Sequence, residues 1–223
     1  MKVKNLFEQV SDEEILKWIV ENEMNRKNLI HVSLRKIYNE RKFETTKDFL
    51  KILTDEYSDL TGVLNFVERM SKFTINPDRT VSFNLGFGVI EVRSKNDSSE
   101  FVPPPFKFKR VVNFQVRGLN LKALPEWLPE RLDHLSFFEC GEISFHNIHK
   151  IIKECEDITL EDTEITDSIL GICFVKGLKT IFLENPEKNE RLNEIMNSFI
   201  PNGDPFDFQD TLANAGLDKF AKL

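Results

Sequence analysis

Residues 111–137 of this chain read VVNFQVRGLNLKALPEWLPERLDHLSF and contain the same apolar skeleton twice. In each copy, an apolar residue is followed by two residues, a second apolar residue, one residue and a third apolar residue. The skeleton recurs in two further segments, and its four copies are Val111/Phe114/Val116, Leu132/Leu135/Phe137, Cys155/Ile158/Leu160 and Leu178/Ile181/Leu183. Successive copies start 21, 23 and 23 residues apart. Such a period is typical of a solenoid in which each stacked unit contributes one strand.

The connection between the first two copies resembles a known repeat. Residues 121–137 contain the pairs Leu124-Pro125 and Leu128-Pro129, which lead into the Leu-x-x-Leu strand that starts at Leu132. This pattern resembles the short bacterial type of leucine-rich repeat, which occurs in secreted effectors of pathogens and in many uncharacterised bacterial and phage proteins. The likeness is close over this repeat, and the other three keep only the strand skeleton. It implies a short β/α domain that binds other proteins through its strand-lined face.

The chain departs from that family after each strand. The family places an asparagine there, whose side chain bonds the backbone of the turn, but this chain has Leu119, Cys140, Thr163 and Pro186. Cys140 fits a variant of the family, and Thr163 can partly substitute, whereas Leu119 and Pro186 cannot make the bond. We therefore expect irregular turns, and a non-repeat α/β fold with chance spacing is the alternative.

Residues 1–75 carry helical patterns and are predicted to form a helical domain. A capping box at Ser11–Glu14 opens the first helix, and the second fits residues 27–42. Thr45 or Thr46 caps the third helix. The fourth has an apolar stripe at helical spacing, formed by Leu60, Val63, Leu64, Val67 and Met70.

The period changes to two after the turn signal Asn76-Pro77-Asp78-Arg79. Segments 81–85 and 89–92 flank a glycine-containing turn, which predicts a β-hairpin. We assign residues 76–105 to this hairpin and a linker, and residues 106–223 to the leucine-rich-repeat-like domain. Helical patterns at 147–153, 167–174 and 187–199 connect the strands, and a helical cap at 207–215 ends at Gly216.

The predicted fold class is therefore α+β, with α/β character in the C-terminal part. An N-terminal helical domain precedes a β-hairpin, and a short, degenerate repeat domain with a helical C-terminal cap follows.

Composition narrows the classes of function. The chain has 37 acidic and 30 basic residues and a net charge of −7, which argues against direct nucleic-acid binding and suits a basic protein partner. No apolar run approaches the ~20 residues of a transmembrane helix, and the first residues contain no signal-peptide core. We therefore expect a cytoplasmic protein with no membrane partner. The three cysteines follow no zinc or CxxC spacing and are expected to be buried, reduced thiols.

Strand residues between the apolar positions are expected to face solvent, since strand side chains alternate faces. The resulting surface carries two aromatic rings among charges, which is typical of protein-binding hot spots. We predict that its partner-binding residues are Arg117, Phe138, Glu161, Phe182 and Glu184. The alternative is that the N-terminal helices cover this surface, which would make Phe138 and Phe182 core residues.

Other patterns compete with this interpretation. His146 and His149 lie near Cys140 and Cys155 and could bind zinc, but both cysteines occupy apolar repeat positions. The segment Cys155-Glu156-Asp157 resembles the Cys-x-Asp of effector ubiquitin ligases. In those enzymes the motif lies in a separate large helical domain, for which this sequence is too short. No GxGxxG, P-loop, GxSxG or HExxH pattern occurs. We expect no catalytic residue, metal site or cofactor.

The sequence thus favours a non-enzymatic protein–protein interaction module, acting as an adaptor or an inhibitor. An acidic run between Glu154 and Asp167 supports a second hypothesis, a nucleic-acid mimic that blocks a DNA- or RNA-binding protein. A third is an enzyme of unrecognised type, including a metal-dependent one.

Overall fold

A computed structural model describes residues 10–24, 29–60, 62–83, 89–93, 101–164, 166–184, 205–214 and 216–217, together with Glu190, Glu194 and Met196. Its helices are α1 Asp12–Met24, α2 Leu29–Glu40, α3 Thr46–Glu56, α4 Val63–Met70, α5 Ile148–Ile151, a 3₁₀ helix Asp167–Phe174 and α6 Pro205–Asn214. Its strands are β1 Phe73–Ile75, β2 Val81–Phe83, β3 Val89–Arg93, β4 Phe108–Arg117, β5 Arg131–Phe138, β6 Asp157–Glu161 and β7 Thr180–Leu183. Helices followed by a mixed sheet confirm the predicted α+β class.

The last four strands stack in chain order and run parallel. Their register aligns the apolar skeletons, so that Phe114, Leu135, Ile158 and Ile181 lie in one row across the sheet. Parallel neighbours require a crossover connection, and here each crossover folds back over one face of the sheet. A parallel bridge between Ala123 and Ser144 aligns two of these crossovers. We call each strand together with its following crossover a rung.

The predicted hairpin over residues 81–92 is wrong. β2 pairs in parallel with the first half of β4, and β3 pairs in parallel with the second half. The two short strands therefore lie end to end along the edge of β4 opposite β5. Here parallel pairing buries Ile90 and Val92 against Phe114 and Val116 on the core face. The hairpin of this region is instead formed by β1 and β2, which pair antiparallel across the turn at residues 76–80.

Helices and sheet share one hydrophobic core. The skeleton side chains of the strands are buried on one face of the sheet, where α5 and the 3₁₀ helix contribute Ile148, Ile169 and Ile172. The N-terminal helices join this layer through Trp18, whose ring packs edge-on at 5.4 Å from Phe106. Removing these apolar surfaces from water is the main force that holds the layers together.

The first and third helices begin at their predicted caps, and α2 begins at Leu29, within the range predicted for it. Ser11 and Glu14 form the capping box of α1, and Thr45 caps α3 together with Asp48. The predicted stripe of α4 is partly wrong, since Leu64 is 52% exposed and Phe66 is buried in its place. Apolar residues occur on several faces of α4, so the sequence alone does not determine which face of the helix is buried.

Two of these helices close the outer edge of β3. The Asn22 side-chain amide of α1 donates to the carbonyl of Glu91 at 2.8 Å. The Arg69 guanidinium of α4 donates to the carbonyl of Val89 at 3.1 Å and pairs with the buried carboxylate of Glu23 at 3.1 Å. A bare strand edge invites pairing with other chains, so these side chains both hold the helices in place and protect the sheet.

The turns after the strands are more regular than expected. Gly118, Glu139 and Asp162 directly follow β4, β5 and β6. All three have a left-handed backbone, with φ angles of 64°, 53° and 48° in that order. At the next position, the Thr163 hydroxyl accepts from the Cys140 N–H at 3.4 Å and donates to the Glu161 carbonyl at 3.1 Å. Thr163 thus makes the backbone bonds that its position requires.

Two of the predicted connecting helices are found, the first in shortened form and the second as a 3₁₀ helix. The pattern at 147–153 forms α5, and the pattern at 167–174 forms the 3₁₀ helix. The predicted helix at 187–199 lies outside the described residues except for Glu190, Glu194 and Met196, which are helical. Gly216 ends α6 with φ +73°, and the Leu217 N–H donates to the Leu212 carbonyl, as the predicted C-cap requires. The polar loop at 94–100 also lies outside the described residues.

Candidate functional site: the exposed strand face

The sheet face opposite the core carries the candidate site, which we call the strand face. Its side chains alternate with the buried skeleton and stand in register across the rungs. They are Asn113, Gln115 and Arg117 of β4, His134, Ser136 and Phe138 of β5, Asp157, Thr159 and Glu161 of β6, and Thr180 and Phe182 of β7. The structure therefore places Arg117, Phe138, Glu161 and Phe182 on one face of the sheet, and Glu184 follows directly after β7.

The strand face is much less exposed at β3 than at β5 and β7. At the β3 end, the side chains of Glu91 and Arg93 form an ion pair and are only 12% and 17% exposed. On β5, the His134 side chain is 52% exposed, and on β7, Phe182 is 54% exposed. Asn22 of α1 and Arg69 of α4 donate hydrogen bonds to the backbone of β3, so the helices dock at this side of the sheet. The accessible part of the face therefore lies over β5, β6 and β7.

Arg117 and Phe138 are brought into direct contact. The guanidinium carbon lies 4.5 Å from the centre of the Phe138 ring, which is a cation–π arrangement. The same guanidinium pairs with Glu139 at 2.7 Å. Arg117 is thus held over the ring of a neighbouring rung, and Phe138 is half-buried beneath it.

Phe182 stands among acidic side chains. Thr159 lies directly opposite it on β6, and Asp157 and Glu161 are the diagonal neighbours on that strand. Glu184 continues the alternation two residues after Phe182, and its N–H donates to the carbonyl of Leu160. Diagonal neighbours in a sheet are within reach of long and aromatic side chains. The exposed ring therefore faces solvent between carboxylates.

Ion pairs link neighbouring rungs over the surface. They join Lys107–Glu130, Arg110–Asp133, Arg117–Glu139, Arg131–Glu154 and Lys179–Glu156. The His134 ring nitrogen also contacts the Asp157 carboxylate at 2.7 Å. Lys109 pairs with Asp78 in addition, so the basic residues between 107 and 117 pair with Asp78, Glu130, Asp133 and Glu139. Lys179 lowers the pKa of the Glu156 carboxyl through its hydrogen bond and charge.

Apart from the strand face, a concavity lies near Lys107 and Glu130, which directly precede β4 and β5. It has a volume of about 480 Å³, and Arg79, Lys107, Glu126, Glu130 and Lys150 contribute to its lining. Most of these charges are already paired, as in the contact of Lys107 with Glu130 at 2.8 Å. At its rim, hydrogen bonds from Thr80 and Lys109 lower the pKa of Asp78 to about 2. Because Arg79, Lys107 and Glu130 are already in ion pairs, this concavity is a weaker candidate site than the strand face.

The cysteines occupy core positions. Cys140, Cys155 and Cys173 are free and buried, and burial raises the pKa of the Cys155 and Cys173 thiols to about 12. Burial also lowers the pKa of His149, whose ring packs edge-on against Phe174. Within the described ranges, no three or more His, Cys, Asp or Glu side chains are grouped to hold a metal ion. The four zinc-ligand candidates are therefore not assembled into a metal centre.

Sequence reasoning missed two parts of the site. Glu139 fixes the guanidinium of Arg117, and nothing in the sequence distinguishes it from other surface carboxylates. β3 extends the rows with Glu91 and Arg93, which pair with Gln115 and Arg117. The signal for β3 was present, because Ile90 and Val92 precede their partners Phe114 and Val116 by the same 24 residues.

Comparison with known proteins returned no match among family models, curated proteins or solved structures. In the part of the chain that the structure describes, no helix is both long enough and apolar enough to cross a membrane.

Proposed function

We propose that this chain is a non-enzymatic protein-interaction module of leucine-rich-repeat-like design, acting as an adaptor or an inhibitor of another protein. The observation that carries the proposal is that Phe182 is 54% exposed, whereas the other phenylalanines whose burial the structure describes are buried or partly buried. Phe138 lies two strands away on the same face, roughly 10 Å across the sheet at the usual strand spacing. Two aromatic anchors on a rigid sheet suit a hot spot, since such anchors lose little conformational freedom on binding.

The charged residues around these rings would set orientation and specificity. Arg117, Glu161 and Glu184 lie at the rim, where charge complementarity affects the association rate more than the final affinity. We also propose a cytoplasmic location, because three free, buried thiols persist most readily in a reducing compartment.

The test compares Phe138→Ala and Phe182→Ala with the control Leu64→Ala. Leu64 is 52% exposed, like Phe182, but belongs to α4 rather than to a strand of the sheet. Proteins captured from a lysate of the source cells by the parent chain are purified and titrated against each variant. We expect each phenylalanine variant to lose more than ~1 kcal/mol of binding, at least about fivefold in Kd, and the control to lose none.

Circular dichroism and urea unfolding must show that the variants fold like the parent. A partner that binds all three variants with parental affinity would contradict the proposal.

A further inference from the structure

The surroundings of Phe182 suggest what chemistry its partner brings. Its ring is the most exposed large apolar side chain described in this structure, and it lies on the strand face rather than in a groove. The carboxylates of Asp157 and Glu161 flank it diagonally on β6, and Glu184 follows it on its own strand. An apolar partner surface would have to bury these carboxylates without compensation, which is costly.

The chain itself shows how such a ring is satisfied. Arg117 covers Phe138 at 4.5 Å and keeps its charge paired with Glu139 at 2.7 Å. The guanidinium thus uses an aromatic face and a carboxylate together. Phe182 offers the same pair of groups two rungs further on, and its ring is exposed.

Glu161 is the carboxylate best placed to take a new cation. Asp157 is occupied by His134 at 2.7 Å, and Glu184 accepts the N–H of Asp162 at 2.9 Å. Across the described residues, the Glu161 carboxylate has no ion-pair partner. It lies one strand from Phe182 and half-exposed on the same face.

From this arrangement we infer that Phe182 and Glu161 bind an arginine side chain of the partner protein. The inference rests on the proposed function and adds the chemistry of the contact. Arginine fits better than lysine because its planar guanidinium can stack on the ring while its fork of N–H groups reaches the carboxylate. A strand-face partner would therefore present an arginine that its own fold leaves exposed.

The experiment titrates the full ¹⁵N-labelled chain with acetyl-Gly-Arg-Gly-amide and follows the backbone amides by NMR. The matched probes replace arginine with lysine, or with citrulline, which keeps the planar group but removes the charge. We expect saturable shifts confined to β6 and β7 with the arginine peptide, weaker shifts with lysine and none with citrulline. Phe182→Leu keeps apolar bulk without the aromatic face and should weaken binding roughly two- to fivefold. Glu161→Gln should weaken it as well, and Leu64→Ala should not.

Shifts that are absent, or spread over the acidic surface, or unchanged in Phe182→Leu would overturn the inference. Its failure is distinguishable from failure of the proposed function. If the arginine peptide does not bind but Phe182→Ala still abolishes partner capture, the strand face binds its partner without an arginine. If the peptide binds at Phe182 but Phe138→Ala and Phe182→Ala both capture the partner as well as the parent does, the arginine site stands and the proposed function fails.

Discussion

Gly171 shows how closely the crossovers of neighbouring rungs approach each other. It lies in the 3₁₀ helix of the third rung, and a Cβ placed there would sit 2.4 Å from the carbonyl oxygen of Phe145 in the second rung. The obstacle is backbone, which cannot rotate aside as a side chain can. Two rungs can pack at this distance only because the residue has no side chain.

We predict that Gly171→Ala destabilises the fold. Relieving the clash requires the 3₁₀ helix to move away from Phe145, and overpacking of this kind costs about 1–3 kcal/mol. The control is Gly141→Ala, since a Cβ there meets only the Asn120 side chain, at 3.4 Å. Urea unfolding should give a clear loss of stability for Gly171→Ala and a change within about 0.5 kcal/mol for Gly141→Ala. Equal stabilities would show that the rungs can separate at no cost.

The buried thiols predict a fall of stability at alkaline pH. A thiol with the ordinary pKa of 9.0 ionises above that value in the unfolded chain, whereas folded Cys155 and Cys173 keep their protons until about pH 12. The folded state therefore binds more protons between these values, and stability falls as pH rises from 9 towards 12. At pH 10.5 the loss is on the order of 2 kcal/mol per thiol.

Lysine and tyrosine titrations also contribute at high pH, so variants isolate the thiols. Cys155→Ala and Cys173→Ala lower stability at neutral pH by removing core volume. What tests the prediction is the difference in unfolding free energy between pH 8 and pH 10.5, which should be smaller in each variant than in the parent. An unchanged difference would mean that the thiols ionise in the folded chain as they do in the unfolded one.

Among elements, the turn after each strand is the unit that repeats best. Gly118, Glu139 and Asp162 adopt the left-handed region at matching places, although only the first is a glycine. Left-handed backbone is uncommon for other residues, so local hydrogen bonds must hold it. The Thr163 hydroxyl supplies two such bonds, to the Cys140 N–H and the Glu161 carbonyl.

We predict that Thr163→Val destabilises the turn by about 1–2 kcal/mol. Valine has the same shape but leaves the Cys140 N–H without its acceptor in a part-buried place. Thr180→Val is the matched control, because Thr180 is exposed on the strand face. Thr163→Asn tests the family resemblance directly, since an asparagine that bonds the turn should retain or increase stability in urea unfolding. A loss as large as that of valine would count against the resemblance.

Strand pairing was harder to predict at this scale. Alternating apolar residues at 81–85 and 89–92 correctly predicted strands, but alternation is the same whether the neighbour runs parallel or antiparallel. The glycines between them favoured a hairpin because turn chemistry is local. The actual partner, β4, lies about 24 residues away from β3, and only the repeat of Ile90-x-Val92 in Phe114-x-Val116 pointed to it.

At the level of the whole molecule, the stacked part was predicted better than the rest for a physical reason. Every rung buries its strand against the same face, so Phe114, Leu135 and Ile158 occupy equivalent positions in successive strands. Their alignment across the sheet could therefore be predicted from the sequence spacing alone. The N-terminal helices do not repeat, and each packs against different neighbours. The exposure of Leu64 and the hydrogen bond from Asn22 to β3 therefore depend on the tertiary packing of each helix. The residues of the strand face could be predicted from strand alternation. How exposed each of them is depends on where the helices dock, which the repeat does not determine.

The distribution of charge over the molecule separates the proposed function from the nucleic-acid mimic. A mimic must present a dense field of unpaired carboxylates in place of phosphates. In the acidic run, Glu154 and Glu156 are paired with Arg131 and Lys179. The run therefore contributes less negative field than its sequence suggests, and the rings of the strand face are left as the stronger anchor.

We predict that partner binding is only moderately sensitive to salt. Apolar and cation–π contacts at Phe138 and Phe182 persist when exposed charges are screened, while a phosphate-like interface loses affinity steeply. Raising NaCl from 50 to 200 mM should therefore weaken binding by less than about tenfold, against about 10³-fold or more for an interface of six or more phosphate-like contacts. The variant Asp162→Asn/Glu164→Gln removes two carboxylates outside the rows of the strand face and should bind nearly as the parent does. A steep salt dependence that this variant flattens, together with full binding by Phe182→Ala, would support the mimic and overturn the strand-face proposal.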